Sequence, residues 1–547
     1  MKKRNFNYLL FIGLFSLALA SCSNSNNNSS SNNGSINTIN KSNIISSADT
    51  DSSVSDDVEE YDFETISDGG SYIMSGDITS SIIVETKKEV TIVLDNCNIT
   101  TDFAGIYIKK ASKVYINLVG NNTIKCLNEF TQIDDNKVDG AIFSKDDLTI
   151  KGNGSLSIES IYHGIVAKDN LVITASNVSI KATKKGLDVN DYLVFDNSNI
   201  NINSETDAIH VENEDEELGY IYFDNSCVSI TTKEDGISAS GDIEANSSEF
   251  NISCNSTASI SNTSINGIKG LDLVFTDCIV SIDSKDDAIH SNSNIEINSG
   301  TYNLASEDDG IHAYNNLVIN GGDITISNSY EGLEGKTITI NDGNINVTAS
   351  DDGLNAAGGS DGSSFNRPGA NNFNSGSSDA YITINGGVVI VDANGDGIDS
   401  NGNLYVNGGN IMIYGPTDNG NGALDYDGSA SITGGSLCAI GYSGMAQNFS
   451  SGTQGSILYN LPINYSANIT ITLKDSSGNV IYSVVSKKSF NSIVISTSEI
   501  VSGGSYTLTV GSNSYSITMS SLLYSNGSSG GNHGGNPGGG NPFGPRF

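Results

Sequence analysis

The chain has 547 residues, with 60 Gly, 6 Pro and no Trp, and its formal net charge is −37. Nucleic acid is an unsuitable partner for so acidic a chain, because binding it needs clustered Lys and Arg. Dissolved cations, or anionic polymers reached through cations, fit the charge better. The length allows several compact domains or one long repeat protein, and the Gly-, Asn-, Ser- and Ile-rich composition favours the repeat protein.

The N-terminal segment predicts export. Residues 1–21 have a basic start and an apolar run over 8–20 that is too short to span a bilayer, as in a signal peptide. The run ends in Leu-Ala-Ser before Cys22, which resembles the bacterial lipobox, in which the cysteine is diacylated. We therefore predict lipidation of Cys22 and a position on the extracellular face of the cell membrane. The alternative is an ordinary cleaved signal followed by an incidental cysteine.

Composition divides the rest of the chain. Residues 22–60 are Ser- and Asn-rich, then acidic, and predict a lipidated disordered tether. Short alternating runs separated by turn residues fill 61–455. Residues 456–520 carry hairpin-like runs that predict a small β cap. The Gly-, Asn- and Pro-rich residues 521–547 predict a disordered tail.

A repeat of about 22 residues organises the central region. Its small residues include Ala288, Gly310, Gly332 and Gly353, and the segments between them contain strand-like runs broken by Asn-Gly, Gly-Gly or Asp-Gly turns. At about 3.3 Å per residue, such a repeat holds three strands and three bends. The prediction is an all-β parallel β-helix solenoid over 61–455, with about 22 residues per coil.

Aligning the repeats on the small residue reveals stripes. The residue after it is Ile or Leu and is expected to point into the core; the next residue is polar and is expected to point outward. The residues just before the small residue, at the corner of the coil, are acidic in most repeats. These corner acids are Asp207, Asp235, Asp286, Asp287, Asp308, Asp309, Glu331, Asp351, Asp352 and Asp396.

Such columns predict bound calcium. Stacked about 4.8 Å apart, two carboxylates repel by roughly 1 kcal/mol in water and by about 3–4 kcal/mol near a protein surface. Cations between them would remove this cost, and hard oxygen ligands suit calcium. The alternative is that the acids only form turns. Further candidate ligands are the outward-facing Glu334 and Asp399, and Asp392 and Asn394, which with Asp396 match the first half of an EF-hand loop.

Four other residues have alternative interpretations. For the outward-facing His290 and His312, sugar hydrogen bonding or solvent exposure is favoured over a soft-metal site, which would be short of ligands. Lys269 makes a local salt bridge or, as the one weak catalytic candidate, removes the proton α to a uronate carboxyl. Arg367 clamps a sugar carboxylate or is an incidental loop charge.

Longer strings carry a family resemblance. DDAIHSN, EDDGIHA, SYEGLEGKTITI, SDDGLNAAGG, GDGIDSNG and GPTDNGNGALDYDG resemble a bacterial cell-surface carbohydrate-binding domain family, typified by a clostridial protein that binds cellulose and polygalacturonate. The resemblance covers about 61–520. It implies a right-handed parallel β-helix with bound calcium, similar to family-nine pectate lyases but regarded as a binding module. The stretch 254–266, just before Lys269, departs from the pattern.

The leading hypothesis is a monomeric, lipid-anchored, calcium-loaded β-helix that binds polysaccharide. Acidic pectin-type polymers are the first candidate and cellulose the second. One alternative is a calcium-dependent pectate lyase with Lys269 as the base. Another is a structural surface adhesin with no glycan ligand.

Overall fold

Regular structure in this computed structural model consists of strands and turns, over the residues it describes: 58–60, 65–254, 265–356 and 379–527. The prediction of an all-β chain is confirmed over these ranges. Within them, no helix has the length and apolar character needed to cross a membrane.

The strands are short, and most hold three to six residues. In chain order, β1 to β16 are Val58–Glu60, Gly70–Ile78, Ile82–Glu85, Glu89–Thr100, Ile106–Lys110, Lys113–Val119, Asn121–Cys126, Gly140–Ser144, Leu148–Lys151, Ser155–Ser160, His163–Ala167, Leu171–Thr174, Asn177–Ala182, Leu187–Val189, Tyr192–Asp196 and Asn199–Ser204. Strands β17 to β33 are Ile209–Val211, Tyr220–Asp224, Cys227–Thr232, Ile237–Ala239, Ile243–Asn246, Glu249–Cys254, Ile268–Gly270, Leu273–Thr276, Cys278–Asp283, Ile289–Ser291, Asn294–Ile297, Gly300–Ala305, Ile311–Ile319, Asp323–Asn328, Leu333–Ile340, Asn344–Ala349 and Leu354–Ala356. Strands β34 to β49 are Tyr381–Ile384, Val388–Ala393, Ile398–Ser400, Asn403–Val406, Asn410–Tyr414, Asp425–Tyr426, Ala430–Ile432, Ser436–Gly441, Ser451–Gly452, Gly455–Tyr465, Thr470–Asp475, Val480–Val485, Phe490–Thr497, Ser505–Val510, Asn513–Thr518 and Leu523–Ser525.

Most strands belong to one long sheet in which neighbours are parallel. From β8 to β26, each strand pairs with the strand three places later in the chain. Beyond β28 the same three ladders continue, with β29 and β31 each spanning one bend and taking part in two of them. Each repeat therefore supplies one strand to each ladder, which is what a repeat of three strands and three bends requires.

The ladder that runs from β11 through β14, β17, β20 and β23 to β36 positions the candidate site. The Ile or Leu after each small residue is fully buried, as predicted: Leu187, Ile209, Ile237, Ile268, Ile289, Ile311, Leu333, Leu354 and Ile398. The small residues themselves are enforced by close packing. At Gly310 a Cβ atom would lie 2.7 Å from both the Gly332 carbonyl oxygen and the Ile326 side chain, closer than real contacts allow.

Aromatic side chains reinforce the same core. Phe195 and Phe223 stack with their ring centroids 5.0 Å apart, and Phe250 meets Phe223 edge-on at 5.0 Å. All three rings are at most 1% exposed. Parallel pairing in register places equivalent residues of successive repeats directly above one another, so a residue type repeated at one position forms a continuous stack.

The two ends of the sheet differ from the predicted boundaries. Strand β1 lies inside the predicted tether and pairs with β2, and β49 lies inside the predicted tail and pairs with β43. Regular structure thus extends a few residues past each predicted boundary of the β region. Each added strand pairs a backbone edge that would otherwise stay open, which composition alone does not reveal.

The C-terminal segment 456–520 is built in two parts. Strands β44, β45, β47 and β48 form a separate antiparallel sheet. Strand β46 instead pairs antiparallel with β41 and β43, and so extends the long sheet. Part of the predicted cap is thus continuous with the repeats.

Candidate metal centre

Two stripes of side chains frame the site. We call the outward row the aligned positions Val166, Asp188, His210, Ser238, Lys269, His290, His312, Glu334, Asn355 and Asp399, which pair strand to strand along the first ladder. We call the corner column the residues that precede the small residue in successive repeats: Asp207, Asp235, Asn266, Asp287, Asp309, Glu331, Asp352 and Asp396.

The corner acids make hydrogen bonds between successive repeats. In several repeats, one carboxylate oxygen of the corner acid accepts the backbone N–H of the next corner residue: Asp309 N lies 2.9 Å from Asp287 Oδ1, and Glu331 N lies 3.1 Å from Asp309 Oδ1. The same bond joins Asp396 N to Asp352 Oδ1 at 2.6 Å. These bonds join successive repeats rather than closing a turn within one repeat. They leave the second oxygen of each of these acids for another partner.

The remaining oxygens gather into four groups of close ligand atoms, within each of which the atoms lie no more than 4.8 Å apart. These groups are Asp287–His290–His312, Asp309–His312–Glu334, Asp286–Asp287–Asp308 and Asp352–Asp396–Asp399. Of the predicted acidic ligands that the structure describes, five belong to none of these groups: Asp207, Asp235, Glu331, Asp351 and Asp392.

His312 occupies the centre of the most buried groups. Its Nδ1 atom faces three carboxylate oxygens, at 3.5 Å for Asp287 Oδ2, 3.3 Å for Asp309 Oδ2 and 3.2 Å for Glu334 Oε2. His312 and Glu334 are only 4% and 3% exposed. The expectation that this part of the row points to solvent is wrong, because side chains three residues after a corner acid turn back and pack against it.

His290 shows the same backward contact. Its Nδ1 lies 2.6 Å from Asp287 Oδ2, and its ring centroid lies 4.9 Å from that of His312. Unlike His312, it is half-buried, with its Nε2 3.3 Å from Asn292 Oδ1. One face of this imidazole therefore remains accessible.

Several buried oxygens around His312 accept no hydrogen bond within the described part of the chain. They are Asp309 Oδ2, Glu334 Oε2 and Asn355 Oδ1, and the three residues are between 1% and 6% exposed. A buried acceptor without a donor costs about 1–3 kcal/mol, and more when it is charged. The oxygens of Asp309 and Glu334 lie together in one group on adjacent repeats, so a single cation could satisfy both of them.

The electrostatics of this group follow from burial and mutual contact. Burial, together with the charge of Asp287, raises the pKa of Asp309, and burial raises the pKa of Glu334 well above its usual range. Burial alone would raise the pKa of Asp287, but hydrogen bonds from both histidines lower it. Burial opposes the charging of His312, yet its carboxylate partners raise its pKa to about 12.

The second strong group contains only oxygen. Burial, followed by the neighbouring carboxylates, raises the pKa of Asp352 to about 7 and that of Asp396 to about 8. Burial likewise raises the pKa of Asp399 well above its ordinary value. Ionising all three acids without a counter-charge is therefore unfavourable. The donor set fits calcium, which prefers carboxylate oxygens.

The loop that matches the first half of an EF-hand is contacted by a lysine from a distant segment. Lys488, from the C-terminal segment, places its ammonium 2.8 Å from Asp392 Oδ1, and it donates to the Ala393 carbonyl at 2.6 Å and to Asn394 Oδ1 at 3.2 Å. A lysine therefore already binds the oxygens expected to hold calcium. Of the three loop residues, only Asp396 joins an acidic group.

The remaining predicted residues have different outcomes. Lys269 lies between Ser238 and His290 in the outward row and is half-buried. Burial raises the pKa of Asp235 to about 7, and the charge of Lys269 opposes that rise. Arg367 and Cys22 lie outside the described residues, so their roles stay predictions.

A groove on the same row was missed by the repeat alignment. Its volume is ≈ 600 Å³, and its lining includes Lys168, Lys185, Asp188, Asn190, His210, Glu212 and Asn213. Lys185 Nζ lies 2.9 Å from Asp188 Oδ1, and Lys168 Nζ lies 3.7 Å from Asp188 Oδ2. Burial would raise the pKa of Asp188, but Lys185 lowers it below its ordinary value. The Lys-Lys pair before Gly186, in a strongly acidic chain, was the available sequence signal.

The described chain is thus an all-β repeat protein whose outward row of acids, histidines and one lysine lies beside a polar groove, an arrangement that offers a candidate ligand-binding face. Residues 62–310 and 304–515 match the family described as carbohydrate-binding domain-containing protein, and the chain belongs to that family.

Two similar proteins share this description in part. A carbohydrate-binding domain-containing protein of Acetivibrio thermocellus is 41% identical over 122 residues, which are 21% of this chain and 43% of the relative. The aligned part thus spans less than half of the relative's length. A solved structure of a polysaccharide lyase-like protein from C. thermocellum, in a gadolinium derivative, is 33% identical. That match covers 37% of this chain and 84% of the other, with a TM-score of 0.32.

Proposed function

We propose that this chain is a lipid-anchored, calcium-loaded, right-handed parallel β-helix that binds acidic polysaccharide along the outward row. The observation that carries the proposal is the placement of the lysine-lined groove and the acidic groups on one row of adjacent strands. Membership of the carbohydrate-binding family supports a polysaccharide as the ligand.

The β-helix is supported by the pairing pattern. Three ladders, each receiving one strand per repeat of about 22 residues, are what a chain winding around one core produces. A parallel crossover in one sheet is right-handed in about 98% of cases. A long solenoid of this kind presents a straight row of side chains, which suits an extended polymer.

Calcium is supported by the all-oxygen group. Asp352, Asp396 and Asp399 belong to two consecutive repeats, and each has a pKa raised first by burial and then by the other acids. Calcium bound there would remove that repulsion and could also accept a carboxylate oxygen from an acidic sugar. The residues thus fit the ion that the family resemblance implies.

The groove is suited to a sugar that carries a carboxylate. Lys168 and Lys185 are 40% and 23% exposed at their side chains, and both approach the same carboxylate, Asp188. A uronate carboxylate could bind the two ammonium groups beside Asp188. The amides of Asn190 and Asn213 offer hydrogen-bond partners for ring hydroxyls.

We expect Lys168→Ala combined with Lys185→Ala to weaken binding of polygalacturonate oligomers by roughly 100-fold or more, since hydrogen bonds to charged groups contribute about 1.5–3 kcal/mol each. Titration calorimetry with the full chain in calcium measures the change. Lys181→Ala is the matched control, because Lys181 is 71% exposed and pairs with Glu159 away from the groove. Equal affinity of the double variant and the control would contradict the proposal, and a glycan array without any hit would favour the adhesin.

The alternative is a pectate lyase with Lys269 as the base. The observation that favours this alternative is the position of Lys269 beside His290, next to the acidic groups. β-Elimination would need that amine unprotonated and within about 3 Å of the C5 proton. The half-buried lysine instead stands among acids such as Asp235, which favour its role as a counter-ion.

We therefore expect no unsaturated uronide to form when polygalacturonate is incubated with the protein and calcium. Absorbance of the 4,5-unsaturated product is the readout, and Lys269→Ala should leave glycan binding nearly unchanged. A product signal in the natural chain that disappears in Lys269→Ala would make the protein an enzyme and overturn this expectation.

A further inference from the structure

The buried group around His312 has a donor set unlike that of the other acidic groups. It combines imidazole nitrogen from His312, and from His290 at its edge, with carboxylate oxygens of Asp287, Asp309 and Glu334. Calcium takes oxygen ligands. Imidazole with carboxylate is the donor set of zinc and other first-row divalent transition metals.

The spacing of these atoms is that of ligands rather than of hydrogen-bond partners. Two ligands each about 2.1 Å from a tetrahedral ion lie about 3.4 Å apart, and His312 Nδ1 lies 3.2–3.5 Å from its three facing oxygens. A charge-assisted hydrogen bond would be about 2.7–2.9 Å long. The single N–H at His312 Nδ1 can also donate a well-aligned hydrogen bond to only one of the three oxygens.

A second observation points to a missing ligand. Asp309 Oδ2 and Glu334 Oε2 accept no hydrogen bond, although both residues are at least 97% buried, at 1% and 3% exposure. Both oxygens face His312 Nδ1. The other oxygen of Asp309 is held by the Glu331 backbone N–H, which fixes the orientation of the carboxylate. The half-buried His290 marks the accessible edge of the group and holds Asp287 through a 2.6 Å contact.

We propose that His312, Asp309, Glu334 and Asp287 bind a first-row divalent transition metal, with Zn²⁺ as the probe, and that calcium is not the ion of this site. The all-oxygen group of Asp352, Asp396 and Asp399 remains the calcium site. The two sites therefore lie along the same ladder of strands and differ in their donor atoms. The competing interpretation is that a protonated His312 is itself the permanent cation of the group.

The test uses the full chain, stripped with chelator and dialysed, and then given Zn²⁺ in the presence of a large excess of calcium. We expect one Zn²⁺ per chain by elemental analysis after gel filtration. Cobalt substituted for zinc should give visible absorption bands typical of nitrogen ligation. His312→Gln and Glu334→Gln should each weaken zinc binding by more than about 100-fold. Asp399→Asn should leave zinc binding intact.

Wild-type protein that retains no zinc, or zinc that calcium displaces at comparable concentration, would overturn the proposal. Zinc retained equally by both glutamine variants would do the same. If both variants fail to fold, as judged by circular dichroism, the competition and cobalt spectra of the wild-type chain decide the question alone. Calcium-dependent melting and glycan binding are measured on the same samples, so failure of the zinc site and failure of the proposed function are distinguishable.

Discussion

Removing divalent cations is expected to lower the melting temperature of this protein by on the order of 10 °C. An ion bound only by the folded chain stabilises it by about 2.7 kcal/mol when its free concentration is 100 times Kd. Two occupied groups would thus contribute about 5 kcal/mol, and each kcal/mol corresponds to about 2–4 °C for a domain of 150–250 residues. Circular dichroism at increasing temperature, with and without chelator, measures the shift.

The expected drop in melting temperature arises because burying carboxylates without a bound cation is unfavourable. Without a cation, Asp352, Asp396 and Asp399 share a buried site in which desolvation, followed by neighbouring carboxylates, raises their pKa values. Chelator already saturated with calcium is the control for nonspecific effects. Asp399→Asn should reduce the calcium-dependent part of the shift, because it removes one charged ligand. Superimposable melting curves after exhaustive chelation would rule out bound ions as a source of stability.

Replacing Cys22 by Ser is expected to move the protein from the membrane fraction to the medium almost completely. The prediction rests on the sequence Leu-Ala-Ser-Cys that ends the apolar run over 8–20. Two acyl chains anchor a protein stably, whereas one chain binds only marginally. A serine hydroxyl at this position would not receive the lipid. Fractionation of cells with and without detergent, followed by immunodetection, measures the change.

Ser23→Ala is the matched control, since it alters the next residue and leaves the cysteine in place. The control should stay in the detergent-soluble membrane fraction. Retention of Cys22→Ser in the membrane, with release only by detergent, would show that another feature anchors the chain and that the lipobox interpretation is wrong.

Spacing alone predicted which residues share a row. The 22-residue period placed His290 above Lys269 and beneath His312, and strand pairing has that order. Period-two alternation likewise predicted that the Ile or Leu beside each small residue is buried, which holds for all nine repeats compared. These features depend only on position within the repeat, so they are encoded locally.

Whether a side chain in the outward row is buried or exposed could not be predicted in this way. Alternation assigns a side chain to the outer face of a strand, but it does not state what covers that face. His312 is buried because its imidazole packs against acids of three successive repeats. In the same row, Asp188 instead meets two lysines and borders an open groove. The difference arises from neighbours in adjacent repeats.

The sequence by itself determined the all-β class, the repeat length and the register that brings acids and histidines into one stripe, because each follows from a periodic pattern along the chain. Only the tertiary structure decided which acids meet. It places Lys488 on Asp392 and Asn394, far apart in the sequence, so that an ammonium group contacts oxygens of the loop that matches the first half of an EF-hand. It also joins Asp309, His312 and Glu334 into one buried group. Contacts of this kind depend on side-chain direction and on what packs above the strand, and no local pattern contains either.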